Sequence, residues 1–260
     1  MDLKGKVAWI TGGTSGIGKA TTLLMSRAGA KVAPLGLKQD KLDAVTAQIE
    51  KEGGEVLPLK ANLRNPEEVE RAAQAVVDKW GEIDIVVANA GINGTWAPLE
   101  DLSVEEWDLT QEVNLRGTFL TLKYAVPHMQ KKGGSIVIVS SVNGTRMFSN
   151  TGASAYATSK AGQVALAKMV ALEFAEDKIR VNVICPGAID TSIEEDMENR
   201  DLDEIQVPVE FPEGQIPLTG GKPGNSKQVA ELIAFLCSEQ ASHITGTEMW
   251  IDGAQSLLRG

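Results

Sequence analysis

The sequence predicts an α/β protein built on one parallel, doubly wound sheet of about seven strands, with helices on both faces. Three observations carry the prediction. Short β-favouring apolar runs alternate with helical segments along almost the whole chain, the order expected of parallel strands joined by crossover helices. The amino terminus reads strand, glycine-rich turn, helix. Finally, 260 residues with 43% hydrophobic content suit a single domain, 1–260, with one sheet covered on both faces.

Residues 6–10 (KVAWI) form the first strand, and TGGTSGIGKATTLLMSRAGA follows directly. Gly12, Gly16 and Gly18 let the chain turn tightly, approach a pyrophosphate and pack helix 16–29 on the sheet, with the first helical amides facing the anion. The pattern predicts a dinucleotide site. Strand 31–35 and helix 39–52 come next, and after strand 55–59 Asn65-Pro66 opens helix 66–80. Strand 83–88 runs into Asn89-Ala90-Gly91. Ser103 and Glu106 make a capping box for helix 104–131, in which Asn114, taken alone, reads as an ordinary polar residue on a helix face. Strand 135–140 ends beside Ser141, which by itself reads as bonding local backbone.

Helix 155–176 holds Tyr156 and Lys160 four residues apart, on one face about a turn from each other. An ammonium there favours the phenolate and lowers a tyrosine pKa from about 10, so that the phenol can exchange protons with an alcohol or ketone near neutral pH. The blander reading is a half-buried aromatic beside a solvated charge. Strand 179–184 leads to Pro186-Gly187. The stretch 187–225, rich in Pro, Gly and Glu, reads as a functional lid or substrate-binding insertion. Acidic Glu194, Glu195, Asp196 and Glu198 at its start suit a solvated, mobile segment that closes on substrate. Helix 226–238 and strand 248–251 complete the order.

Composition excludes several classes. A formal charge of −10 argues against nucleic acid and anionic lipid. No apolar run reaches membrane-span length, and the start MDLKGKVAWI lacks a signal-peptide pattern. Cys185 and Cys237 read as reduced core residues of a cytoplasmic protein. With two histidines and no ligand spacing, no metal site is expected.

The ordered set TGGTSGIG, NAG, Asn114, Ser141, Tyr156, Lys160 and Pro186-Gly187 resembles the short-chain dehydrogenase/reductase family over essentially the whole chain. The resemblance implies a Rossmann-type fold with a seven-stranded sheet. It further implies that Tyr156 is the general acid/base and that Lys160 depresses its pKa and holds the nicotinamide ribose. Ser141 would hydrogen-bond the substrate oxygen, and Asn114 would kink its helix and anchor a water leading to Lys160. Cofactor contacts are implied for Gly12, Thr14, Ser15, Gly16, Ile17 and Gly18. The same holds for Leu37, Lys38, Asn62, Leu63, Asn89, Ala90 and Gly91, and for Pro186, Gly187, Ile189 and Thr191. Ser141 and Tyr156 stand slightly further apart than is usual for the family, which reads as a small insertion in NGTRMFSNTG lying over the substrate.

An acid at the end of the second strand selects NAD, and a base selects NADP. Here Gly36, Leu37 and Lys38 stand at that point. Nothing repels a 2′-phosphate and Lys38 could reach one, which favours NADP, with NAD possible. The expected substrate contacts are Trp96, Asn143, Phe148 and Phe211. Asn93, Met147, Met197 and Val207 complete an apolar wall suited to a medium-sized ketone or secondary alcohol; Met197, Val207 and Phe211 read equally as fastening the insertion to the body. The alternatives are a non-catalytic dinucleotide-binding sensor or scaffold, epimerisation or dehydration on the same cofactor, and a 3-oxoacyl-carrier-protein reductase. The acidity of the chain and Asp177, where a base is expected, count against the last. Surplus apolar residues on helices 104–131 (Phe119, Leu120, Leu122) and 155–176 (Val164, Leu166, Met169), with the resemblance, imply a homo-oligomer, a tetramer above all.

Overall fold

The computed structural model describes residues 1–191, 197–206 and 216–259. The chain runs through β1 (Val7–Thr11), α1 (Gly16–Arg27), β2 (Lys31–Gly36), α2 (Gln39–Lys51), β3 (Leu59–Lys60), α3 (Pro66–Trp80) and β4 (Ile85–Ala88). It continues with β5 (Thr95–Trp96), α4 (Val104–Gln111), α5 (Gly117–Ala125), β6 (Gly134–Val139), α6 (Ser154–Glu173) and β7 (Ile179–Pro186). Then come β8 (Ile189–Asp190), β9 (Glu198–Asn199), β10 (Gly224–Asn225), α7 (Ser226–Cys237), β11 (Glu248–Ile251) and α8 (Gln255–Arg259).

Seven strands form the sheet, parallel as the sequence predicted, in the order β11-β7-β6-β4-β1-β2-β3. Period-two alternation sends neighbouring side chains to opposite faces, and both faces are covered. On one, Ala8, Ile10, Val87, Val137 and Ile184 pack against α1, α2 and α7 through Met25, Val45, Ile49, Val229 and Ile233. On the other, Trp9, Val86, Ile136, Ile138 and Val181 meet α3, α5 and α6 through Val69, Val76, Leu120, Val164 and Ala167. Strand order reverses between β1 and β4, and the carboxyl ends flanking that switch point are where such sheets bind ligands.

Two expected elements are altered. Strand 55–59 is reduced to Leu59–Lys60 and one bridge from Val32 to Val56, because Pro34 of β2, between them, has no N–H to give the ladder. Helix 104–131 is broken by a π-helical turn at Glu112–Arg116 and ends in a 3₁₀ turn at Val126–His128. Asn114 sits in the π turn, where its carbonyl oxygen accepts from Gln163 Nε2 at 2.8 Å and from Thr118 Oγ1 at 2.7 Å. Both lone pairs are thereby occupied.

The stretch 187–225 is partly ordered into the body. β8 pairs with β10, and β9 with β5. Arg200 donates to Asp101 O at 2.9 Å, to Glu106 Oε1 at 2.5 Å and to Glu198 Oε1 at 3.0 Å. Glu198 is solvent-exposed, as expected, but is tied to Arg200; Glu194, Glu195, Asp196, Val207 and Phe211 lie outside the described residues. No helix among the described residues is long and apolar enough to cross a membrane.

Candidate active site

A cavity of about 400 Å³ opens at the carboxyl ends of β1, β4, β6 and β7. At one end lies the glycine-rich turn. A Cβ on Gly18 would stand 2.1 Å from Gly12 O, and one on Gly12 2.8 Å from Asn89 Nδ2, so only glycines let the turn, the helix and β4 close on each other. Asn89 Nδ2 donates to Thr11 O and Gly12 O, while Thr11 Oγ1 accepts from the amides of Asn89 and Ala90. These bonds brace the turn. Ser15 caps α1 without a side-chain hydrogen bond, and no acid stands in the first turn, so nothing on α1 competes with an anion for its first amides. This cradle fits a dinucleotide pyrophosphate.

At the other end stand the reacting groups. Tyr156 and Lys160 are buried on α6, and the Ser141 side chain is near enough to the Tyr156 phenol to act on its acidity. Ser140, by contrast, donates to Lys160 O at 2.8 Å, which faces it away from the phenol's partner. Lys160 Nζ donates to Val139 O at 3.0 Å. Asn114 lies deeper: its Oδ1 accepts from Ile92 N at 2.8 Å and its Nδ2 donates to Ile92 O and Ser159 Oγ. It shapes the wall next to Gly91, where an added Cβ would lie 3.2 Å from Asn114 Oδ1 and 3.4 Å from Lys160 Nζ.

Burial lowers the Lys160 ammonium to about 8. Burial also pushes the Tyr156 phenol up, with the Ser141 side chain working against it. The expected depression of Tyr156 by Lys160 is thus absent in the protein alone: desolvation of the phenol outweighs the other influences, and the ammonium's hydrogen bond goes to Val139.

Of the sequence-predicted residues, Gly12, Ser15, Gly16, Ile17, Asn89, Ala90 and Gly91 line the cavity, as do Trp96, Ser141, Asn143, Tyr156 and Lys160. So do Pro186, Gly187, Ile189 and Thr191, with Asn93, Met147 and Met197. Thr14 is outside it and packs on Gly36, where an added Cβ would meet its side chain at 2.9 Å. Leu37 and Lys38 are exposed beyond Gly36. Asn62 Oδ1, expected at an adenine edge, accepts from Arg64 N at 3.0 Å, and Leu63 is buried in the core under Gly117. Phe148 is 72% exposed and does not line the cavity: the loop turns it outward while Met147 points in. Phe211 lies outside the described residues.

Sequence reasoning missed Asn150 and Gln255, both of which line the cavity. Asn150 Nδ2 donates to Asn143 Oδ1 at 3.0 Å, and Gln255 Oε1 accepts from Ala188 N at 2.8 Å, holding the Pro186-Gly187 turn from the far carboxyl end of the chain. No local motif marks either residue.

A family model described as enoyl-(acyl carrier protein) reductase matches residues 12–254. The 3-oxoacyl-[acyl-carrier-protein] reductase FabG of Thermotoga maritima is 40% identical over 254 residues, covering 97% of this chain and 98% of that protein. The crystal structure of a 3-ketoacyl-ACP reductase from Sinorhizobium meliloti 1021 matches with a TM-score of 0.93 at 49% identity, over 97% of this chain and 100% of that one. A 3-ketoacyl-(acyl-carrier-protein) reductase from Brucella melitensis, solved in complex with NADH, matches with a TM-score of 0.86 at 30% identity, over 98% and 100% of the two chains.

Proposed function

Because the chain belongs to the short-chain dehydrogenase/reductase family, whose members are oxidoreductases using a nicotinamide dinucleotide, we propose that it interconverts a ketone and a secondary alcohol with Tyr156 as the proton carrier. The observation that carries this reading is that Ser141, Tyr156 and Lys160 line one cavity that also reaches the glycine-rich turn. Bound nicotinamide supplies or accepts the hydride. Tyr156 gives its proton to the carbonyl oxygen during reduction or takes it from the alcohol during oxidation. The Ser141 hydroxyl hydrogen-bonds that same oxygen and stabilises developing negative charge. Lys160, charged below about 8, holds the ribose, while Asn114 fixes the wall behind both. Thr191 and the Pro186-Gly187 turn would seat the nicotinamide.

NADP(H) is the preferred cofactor in this reading. No carboxylate stands at Gly36, Leu37 or Lys38, and Lys38, at the amino end of α2, is the cation this reading assigns to a 2′-phosphate. Among the described residues, Lys160 is the one charged side chain lining the cavity; Asn93, Asn143, Asn150, Trp96, Met147 and Met197 form its substrate end. Such a lining suits an uncharged, medium-sized ketone or alcohol. The whole chain acts as one catalytic domain with 187–225 as its substrate-side insertion. It works as a homotetramer in the cytoplasm, a setting that suits its two free buried cysteines.

A second reading, reduction of a 3-oxoacyl group on a carrier protein, is supported by the names of the relatives above. The formal charge of −10 and the exposed Asp177, which accepts a hydrogen bond from Gln130, disfavour an acidic protein partner. A panel of ketones and alcohols followed at 340 nm with each cofactor tests the proposal. Including one 3-oxoacyl thioester on a small thiol and on carrier protein separates the two readings.

A further inference from the structure

The last strand of the sheet reaches the catalytic serine through a short chain of hydrogen bonds. Trp250 lies on β11, in register with Cys185 of β7. Its indole Nε1 donates to Thr145 Oγ1 at 3.2 Å. The Thr145 hydroxyl in turn donates to Ser141 O at 2.8 Å, with Val142 O at 3.1 Å sharing the proton. The polarity is fixed by chemistry. An indole N–H can only donate, and the Ser141 and Val142 carbonyls can only accept, so the threonine hydroxyl gives its one proton to them, the shorter bond going to Ser141. Donors linked in this way polarise one another.

The Ser141 carbonyl needs such a partner because it stands just beyond the β6 ladder. Ser140 N still bonds Ile184 O and Val142 N bonds Pro186 O. After that the chain folds into a tight loop in which Arg146 N and Met147 N both return to Val142 O. The Ser141 side chain is held from the same loop, its Oγ accepting from Asn143 N at 3.1 Å. That bond occupies one lone pair and leaves the hydroxyl proton and the other lone pair for Tyr156 and the substrate. The Arg146 guanidinium stacks on the Trp250 ring, 3.5 Å from its centroid, and so fixes the indole from the loop side.

We infer that Trp250 and Thr145 are positioning residues for Ser141, setting its backbone, and hence its hydroxyl, at the distance from Tyr156 that proton transfer requires. The inference rests on the reading that Ser141 and Tyr156 meet the reacting oxygen. It assigns a role in the active site to the edge strand β11, which no motif of the sequence connects with catalysis.

The test uses Thr145→Val, Thr145→Ser and Trp250→Phe in the full chain, each first checked for a cooperative thermal melt. Valine keeps the threonine's shape without its hydroxyl, serine keeps the hydroxyl, and phenylalanine keeps a ring under Arg146 without the N–H. Two readouts are taken. One is NADPH oxidation with ethyl acetoacetate as the probe ketone. The other, independent of turnover, is the NMR signal of tyrosine labelled with ¹³C at Cζ. With two tyrosines in the chain, Tyr124→Phe identifies the Tyr156 signal, which reports the hydrogen bonding of its phenol oxygen. Small misplacements of a catalytic group cost up to about 100-fold in rate. We expect Thr145→Val and Trp250→Phe to lower kcat by about tenfold, to leave the KM for NADPH within about twofold, and to move the Tyr156 signal. Thr145→Ser should return both readouts to the parent's values. A Tyr156 signal that stays in place in both Thr145→Val and Trp250→Phe would overturn the inference, as would Thr145→Ser being as impaired as the valine variant. Failure of the parent to oxidise NADPH with any ketone would count against the proposed function instead, and the NMR signal would still decide the role of Trp250 and Thr145.

Discussion

Lys160 Nζ donates to the carbonyl oxygen of Val139 at 3.0 Å while standing 5.5 Å from the centroid of the Tyr156 ring. The last carbonyl of β6 thus anchors a buried ammonium beside the phenol, and the lysine is held in place by the sheet itself. Burial brings its pKa from 10.5 to about 8, so folding takes up a charge whose desolvation is only partly offset.

The first prediction follows from the sign of that shift. Between pH 8 and 10.5 the unfolded chain holds the lysine proton more firmly than the folded one, so stability rises with pH through this window. Below it the charged lysine costs on the order of 3 kcal/mol, from which the Val139 bond recovers roughly 1. Lys160→Met should therefore abolish turnover and yet raise stability at pH 7, by about 1–2 kcal/mol, with the gain fading by pH 10.5. Urea unfolding at pH 7 and pH 10 checks this; a difference that does not change with pH would show that the ammonium is not desolvated.

Arg200 gives the second. Its guanidinium ties β9 to Glu106 and Asp101 O, and Met197 behind it lines the cavity and accepts a hydrogen bond from Asn93 Nδ2 at 3.6 Å. Glu106, held at about 2 mainly by its hydrogen bond to Arg200, keeps the tie intact through the working pH range. Because the pair is exposed to solvent, its loss should have a modest effect. Arg200→Ala should raise substrate KM about fivefold, leave the KM for NADPH unchanged and speed proteolysis between 197 and 206. Unaltered KM and cleavage would make the tie incidental.

Much of this architecture was legible in the sequence, because strand and helix periodicity and the glycine turn are local signals. Tyr156, Lys160 and Ser141 stand together as their motifs suggested. What escaped was set by partners far along the chain. The π turn at Asn114 depends on Gln163, the Pro186-Gly187 turn on Gln255, and the docking of β9 on Glu106. Phe148 and Met147 are neighbours of similar hydrophobicity, and only the fold of their loop decides that Met147 is buried and Phe148 exposed.

The third prediction concerns the 2′-phosphate. Lys38→Ala should raise the KM for NADPH by less than about tenfold, as expected of an exposed ion pair, and barely affect NADH. Leu37→Arg should sharpen the preference for NADPH through a planar, bidentate donor. Steady-state kinetics that stay equal for both cofactors in the parent and both variants would place selection elsewhere.

Assembly supplies the fourth. Leu120, Leu122 and Val164, expected to be surplus, are buried in the chain's own core. The large apolar residues exposed on these two helices are Phe119 on α5 and Met169 and Leu172 on α6, at 46%, 73% and 82% exposure. Light scattering should give a tetramer for the parent. Phe119→Glu with Met169→Glu should give smaller species, since a charge in such an interface lacks a partner. A monomeric parent at micromolar concentration would refute the assembly.

The most direct test of the central claim is single-turnover NADPH oxidation by Tyr156→Phe, with binding followed by NADPH fluorescence. Removing only the phenol oxygen should lower the rate by about 10²–10⁴-fold while NADPH affinity and the thermal melt stay near the parent's. A rate within a few-fold of the parent would contradict the assignment of Tyr156 as proton donor.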